Sequence, residues 1–348
     1  MESMNQYFKS YEELDVHQLM LRDETRTLAY KNAIMNSKHM FINKVVMDVG
    51  TGTGILSIFC AQAGAKKVYA VEASDLIKLT EQVIIENKLN NTITLIHSKV
   101  EDIDPNDIEK VDVIISEWMG FYLVHEGMLN SVLFARNNFL KENGTLFPCV
   151  AKLYASPCQL PSMYEFWNNV YGVSMKCIGE EYRKTRSMKP EILLVNEKDL
   201  LAGGKLLAWL DLQCISLEEL DQLGGEEYVS VCNKDGRYQG ICIWFDVEFP
   251  DGSELSTSPF YKATHWKQTA IVLPTDIEVT KDEPIAFKLE LTKSNTNPRQ
   301  YNIELLLLDS FEVEHEVPCS CHMTKCIVMK TYIEEEHNGS GDEDLEKK

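Results

Sequence analysis

Residues 46–54 read VMDVGTGTG, an apolar run that ends in three alternating glycines and passes at once into the helically spaced ILSIFCAQAGA. A strand that stops on glycines and feeds a helix leaves few folds open. Glycines let backbone approach a ligand, and the helix N-terminus behind them favours polar or anionic groups. VYAVE (68–72), ITLIH (93–97) and VDVII (111–115) are further short apolar runs, interleaved with helical stretches such as SDLIKLTEQVIIENKLN. Short buried strands alternating with helices predict an α/β unit with a parallel, helix-covered sheet.

The glycine spacing narrows the ligand. Gly50, Gly52 and Gly54 make G-x-G-x-G, and Ile55 occupies the third-glycine position of the dinucleotide pattern G-x-G-x-x-G, which argues against NAD or FAD. Glu72 ends the next strand, where a carboxylate accepts both hydroxyls of an adenosyl ribose. The plainer alternative is a tight turn plus an unrelated surface acid. Strand, glycines, helix and strand-end acid nevertheless occur together. With Asp48 two residues before the first glycine, the pattern favours S-adenosylmethionine, and KVEDID then offers Glu101 to the adenine edge.

SEWMGFYLVHEGMLN, residues 116–130, carries Glu117 and Glu126 among Trp, Met, Phe, Leu and Val. Carboxylates in such surroundings are costly unless a cation meets them. Glu117 directly follows the VDVII strand, at the carboxyl end where open α/β sheets bind ligands. A pair of carboxylates can share a proton, bind a metal or clamp an extended cation. The loop offers few further oxygen ligands for a metal, and a planar guanidinium matches carboxylate geometry best.

Beyond Phe147-Pro148 the pattern changes to LFPCVAKLYASP and GICIWFDVEFPDGSELSTSPF, alternating runs with Pro/Gly turns that predict antiparallel β structure. Residues 7–40 and 162–190 read as helical, the second as an exposed insertion. The net charge of −20 (34 basic against 54 acidic residues) argues against direct nucleic-acid binding and suits a basic partner. No apolar run approaches a membrane span and the start lacks a secretory pattern, so a cytosolic or nuclear protein is expected.

SEWMGFYLVHEGML resembles the double-E loop of protein arginine methyltransferases, and ATHWKQ (263–268) resembles their THW loop. YFKSYEELDVHQLMLRDETRTLAY resembles their N-terminal cofactor-covering helices, and VMDVGTGTG resembles motif I of class I methyltransferases. The match runs in order from about residue 7 to 310, and SEWMG with THWKQ resembles the type I members, which make monomethyl and asymmetric dimethylarginine. The resemblance implies a class I methyltransferase Rossmann-like parallel sheet followed by a mainly antiparallel β-barrel domain with a helical dimerisation arm. The implied divisions are 1–39 for the covering helices, 40–148 for the cofactor domain, 149–333 for the barrel with its arm at 162–190, and an acidic disordered tail at 334–348.

Residue by residue, the resemblance implies that Glu117 and Glu126 bind the guanidinium and draw its charge to one side. A terminal nitrogen then keeps lone-pair density for attack on the sulfonium methyl, which cationic arginine otherwise lacks. His265 and Asp23 are implied to pair the THW loop with the N-terminal helix and to help carry off the proton. Phe8, His17, Arg26, Gly50, Gly52, Glu72, Val100, Glu101, Met128 and Ser131 match cofactor positions, and Tyr11, Met20 and Trp266 match substrate positions. Gly127 departs from the commoner Ser or Phe and is expected to loosen Glu126, and Phe121 stands where many members have Tyr. Also implied are arginine-containing protein substrates, histone tails and other basic proteins among them, a homodimer, and a nuclear place of action with the cytoplasm open.

PCSCHMTKC groups Cys319, Cys321, His322 and Cys326, but C-x-C-H lacks the usual zinc spacing, so a C-terminal strand with scattered thiols and no metal is expected. Three rivals remain: a small-molecule methyltransferase, a catalytically weak cofactor-binding coregulator working by protein contact, and a nicotinamide oxidoreductase.

Overall fold

The computed structural model describes residues 13–297 and 299–339. Phe8 and Tyr11, assigned above to cofactor and substrate, lie outside the described residues. Two helices open the described chain, α1 (Leu14–Arg22) and α2 (Glu24–Asn36). Asp23 separates them and caps the second, its side chain accepting a hydrogen bond from the Arg26 N–H. Tyr30, Ala33 and Ile34, three and four apart on α2, are buried, and the Tyr30 ring meets Phe249 edge-on at 4.9 Å.

The parallel sheet has the order β3-β2-β1-β4-β5. Its strands are β1 (Val45–Val49), β2 (Lys67–Glu72), β3 (Ile93–His97), β4 (Val111–Ile115) and β5 (Leu140–Phe147). Helices α3 (Ile55–Gln62), α4 (Ile77–Glu86) and α5 (Leu129–Phe139) connect or follow them. Every residue of β1 is buried, as its unbroken apolar run requires of a central strand covered on both faces. Strand order reverses between β1 and β4, so the loops leaving their carboxyl ends diverge and open a crevice there.

The remainder is antiparallel. β6 (Val150–Cys158), β7 (Glu191–Leu193), β8 (Lys205–Asp211), β10 (Gly236–Glu248) and β12 (Gln268–Val279) form a sheet in the order β7-β12-β10-β6-β8, with β11 (Glu254–Ser256) on β10. β9 (Gln222–Val231), β13 (Pro284–Lys293) and β14 (Tyr301–Leu308) form another, ordered β14-β13-β9. β8 runs beside β9, and Leu210, Phe245 and Leu289 from the two sheets share one interior. β10 departs from half-buried alternation. Its Ile241, Ile243, Phe245 and Val247 enter that interior, while Cys242 and Trp244 pack on the other face with Cys158, Tyr164 and Leu200.

The helical insertion is α6 (Pro161–Tyr164), a single turn at Phe166–Asn168, and α7 (Lys176–Arg186). The C-terminal region corrects the sequence reading twice. Cys319 and Cys321 sit in the loop ahead of helix α8 (Thr324–Gly339) and Cys326 in its first turn, none of them on a strand. That helix also continues through residues 334–339, read above as the start of a disordered tail, because the run EEE extends it with good helix formers. Among the described residues, no helix is long and apolar enough to cross a membrane.

Candidate active site

The loop after β1 takes left-handed backbone at each glycine, with φ of +73° at Gly50, +53° at Gly52 and +83° at Gly54. At Gly50 the left-handed backbone itself favours glycine, since a Cβ there would displace only the flexible end of the Met128 side chain. Glu72, at the end of β2, accepts hydrogen bonds from the Gly52 N–H (2.9 Å) and the Ser74 N–H (2.8 Å), which lock its carboxylate beside the loop. Asp48 faces inward instead. It is fully buried, and its Oδ2 accepts from Thr51 and Ser57, each at 2.7 Å, tying the loop to α3.

Burial raises the Asp48 carboxyl to about 6, against the opposing pull of the Ser57 and Thr51 hydrogen bonds. A carboxyl with a raised folded pKa stabilises the fold below its unfolded value near 4, and that contribution is lost as pH rises through 6. Asp48→Asn should therefore lose part of the pH dependence of unfolding. Thermal unfolding at pH 8 and pH 5 is expected to differ less in the variant than in the parent, by an equivalent of about 1.4 kcal/mol. Identical pH dependence in the two proteins would count against a buried, raised carboxyl.

Glu117 leaves β4 through Ser116 and meets Arg26 of α2, whose Nη2 and Nε donate to the same oxygen, Oε2, at 2.7 and 2.9 Å. The two side chains are only 8% and 10% exposed. Burial pulls the Arg26 guanidinium down, but the neighbouring Glu117 carboxylate outweighs it and the net shift is upward, so the ion pair is retained. Glu126 sits in left-handed backbone at φ +75°, followed by Gly127 at +63°. A non-glycine residue in that region costs on the order of 1–3 kcal/mol and needs outside support. Arg299 supplies it: the Glu126 N–H donates to the Arg299 carbonyl and Arg299 Nη1 donates to the Glu126 carbonyl, both at 2.8 Å. Glu126 is thus clamped through its own backbone, contrary to the expectation that Gly127 would leave it loose.

The 264–267 turn closes the far side. Trp266 is buried, donates its Nε1–H to the Met119 carbonyl at 2.9 Å and stacks near His265, with ring centroids 4.1 Å apart. Asp23 Oδ2 accepts from the His265 backbone N–H (2.8 Å) and lies 2.7 Å from its Nδ1. Burial alone would push the Asp23 carboxyl up, but hydrogen bonds from the His265 ring and from the backbone N–H groups of Arg26 and His265 bring it below its ordinary value. One aspartate therefore caps α2 and fastens the turn to it.

These elements enclose a cavity of about 370 Å³. His17, Met20 and Arg26 line it from the N-terminal helices, Gly50, Gly52, Glu72, Val100 and Glu101 from the strand ends. Glu117, Glu126, Met128, Ser131, His265 and Trp266 complete it from the two loops and α5. Glu101 accepts a hydrogen bond from Ser131 within that wall. Of the described residues given a catalytic, cofactor or substrate role from sequence, Asp23 alone stands behind the wall, next to His265. Arg299 also lines the cavity and was not found from sequence. Its only signal is an arginine in a β13–β14 loop, 173 positions from the residue it holds.

Residues 150–310 match the family described as the arginine methyltransferase oligomerization subdomain, and residues 33–130 match the ribosomal protein L11 methyltransferase (PrmA) family. Protein arginine N-methyltransferase 6 of Danio rerio is 40% identical over 310 residues, covering 86% of this chain and 88% of that protein. Protein arginine N-methyltransferase 1 of Caenorhabditis elegans is 38% identical over 324 residues, covering 90% of each. Among solved structures, that of PRMT6-SAH superposes with a TM-score of 0.75 at 32% identity, covering 85% of this chain and all (100%) of that one. The Trypanosoma brucei PRMT1 enzyme-prozyme heterotetrameric complex with AdoHcy gives 0.77 at 29% identity, covering 88% and 97%. Likeness that spans the glycine loop, the double-glutamate loop and the antiparallel sheets together places the chain in the protein arginine N-methyltransferase family.

Proposed function

We propose that this chain methylates arginine side chains of proteins from S-adenosylmethionine, yielding monomethyl and asymmetric dimethylarginine. The observation that carries this reading is the convergence of Glu117, Glu126 and Trp266 on the cavity that the glycine loop and Glu72 also line. The cavity fits an adenosyl group: left-handed glycines bring bare backbone to its edge, and Glu72 presents a fixed carboxylate at the strand end. His17, Gly52, Val100, Glu101, Met128 and Ser131 are assigned to hold the same group, and Arg26 to meet its carboxylate. Bound there, S-adenosylmethionine supplies an electrophilic methyl on a sulfonium.

The chain's own residues then act on the acceptor. Glu117 and Glu126 receive the guanidinium and draw its charge toward themselves, and Trp266 walls the slot. Asp23 holds His265, which takes up the released proton. Met20 borders the space in which a methylated nitrogen turns to accept a second methyl. Excess negative charge, 54 acidic against 34 basic residues, favours basic substrates such as histone tails. Transfer of labelled methyl groups to histone and Gly/Arg-rich peptides, followed by product typing, tests the reading. Asymmetric dimethylarginine is expected, and label confined to free arginine, or symmetric product, would overturn it.

The insertion supports a homodimer. Phe166, Tyr171, Val173 and Ile178 are exposed on it, although Trp167 packs against Tyr182 and α7 to keep it rigid. Phe166→Glu with Tyr171→Glu should shift the mass measured by light scattering from dimer to monomer. A parent protein that is already monomeric at micromolar concentration would refute it.

A further inference from the structure

The C-terminal turns bring together four side chains that the arginine chemistry leaves unused. The ligand atoms of His315, Cys319, Cys321 and Cys326 all lie within 4.8 Å of one another. His315 Nδ1 is 3.5 Å from Cys319 Sγ, 3.4 Å from Cys321 Sγ and 3.2 Å from Cys326 Sγ. Tetrahedral zinc with bonds of about 2.3 Å to sulfur and 2.05 Å to nitrogen separates those atoms by roughly 3.5 Å. The cluster is therefore already at ligand spacing.

The tautomer agrees. His315 Nε2 lies 2.8 Å from the Ser310 carbonyl, which only accepts, so the proton sits on Nε2 and the Nδ1 lone pair faces the three sulfurs. Cys321, Cys326 and His315 are buried, and all three cysteines are free thiols. His322, the histidine that the sequence pattern put in the group, is exposed and engages Asp282 only through its backbone N–H. The working pattern is H-x₃-C-x-C-x₄-C.

We propose that His315, Cys319, Cys321 and Cys326 bind one structural zinc ion. Three thiolates and an imidazole fill a tetrahedral shell, leaving no position for water, so the ion holds structure and does no chemistry on substrate. Binding converts three thiols to thiolates and releases their protons to solvent. The need is local. Residues 311–323 contain no helix or strand, and their apolar contacts are two small clusters, Val313 with Val229, Ala286 and Leu308, and Cys321, Met323 and Cys326 with Val231 and Cys319. The ion fastens the first turn of α8 to the end of β9.

The test uses the full chain, purified under reducing conditions without chelator. Elemental analysis is expected to find one zinc per chain, retained by His322→Ala and lost from His315→Ala and Cys321→Ser. Replacement by cobalt should give thiolate-to-metal charge-transfer and tetrahedral ligand-field bands. Should those two variants fail to fold, titration of the parent with a mercurial decides, since thiol modification must release the zinc stoichiometrically. Metal well below one per chain, zinc that survives His315→Ala and Cys321→Ser, equal loss in His322→Ala, or a disulfide among the three cysteines would each overturn the proposal.

Discussion

Replacing Glu126 with Gln is expected to lower methyl transfer by about 10²–10³-fold while leaving the fold and AdoHcy binding in place. On the proposed reading, the guanidinium is buried between two carboxylates, and removing one charge from such a group costs about 3–5 kcal/mol. The loop itself should not move. Arg299 holds Glu126 by its N–H and carbonyl, and neither is altered by the substitution. Turnover should therefore fall at an unchanged unfolding temperature and an unchanged calorimetric affinity for AdoHcy. A variant keeping more than about a tenth of the parent's activity would remove Glu126 from the clamp.

Glu117→Gln should cost stability as well, because Glu117 sits in a buried ion pair with Arg26. Arg26 places two donors on its Oε2, and both side chains are about nine-tenths buried. The amide can still accept a hydrogen bond but leaves the guanidinium charge without its counterpart. A loss of stability near the lower end of the broken-pair range, about 3 kcal/mol, is expected alongside the loss of activity. Thermal unfolding separates the two glutamates, with Glu117→Gln melting early and Glu126→Gln melting like the parent. Converting Arg26 to Met in the Glu117→Gln background should recover much of the stability, since the unpaired buried guanidinium is then gone. Equal melting of parent and Glu117→Gln would show that the pair contributes nothing.

The parts of this site that were readable from sequence are those built from neighbours. VMDVGTGTG announces its own strand, turn and helix, and Glu72 and Glu117 follow strand ends whose apolar runs are unmistakable. Asp48 was readable as part of the pattern, but its direction was not. It lies on the central strand and turns into the core to bind Thr51 and Ser57, away from the ligand. Arg299 was unreadable because its partner is set by how two sheets close on each other, not by spacing. The cysteine cluster failed for a related reason. Counting residues favoured His322, whereas the turn after β14 folds His315 back over the three thiols. Periodicity likewise could not show that β10 is covered on its second face, since the cover comes from the insertion and the segment after it.

The Arg299 contact has a consequence for how the enzyme comes into being. On the proposed reading, the residues assigned to the adenosyl group all precede residue 132, but the backbone at 126 has its posture set by a residue near position 300. A nascent chain on the ribosome can complete the nucleoside half of the site long before it can hold an arginine.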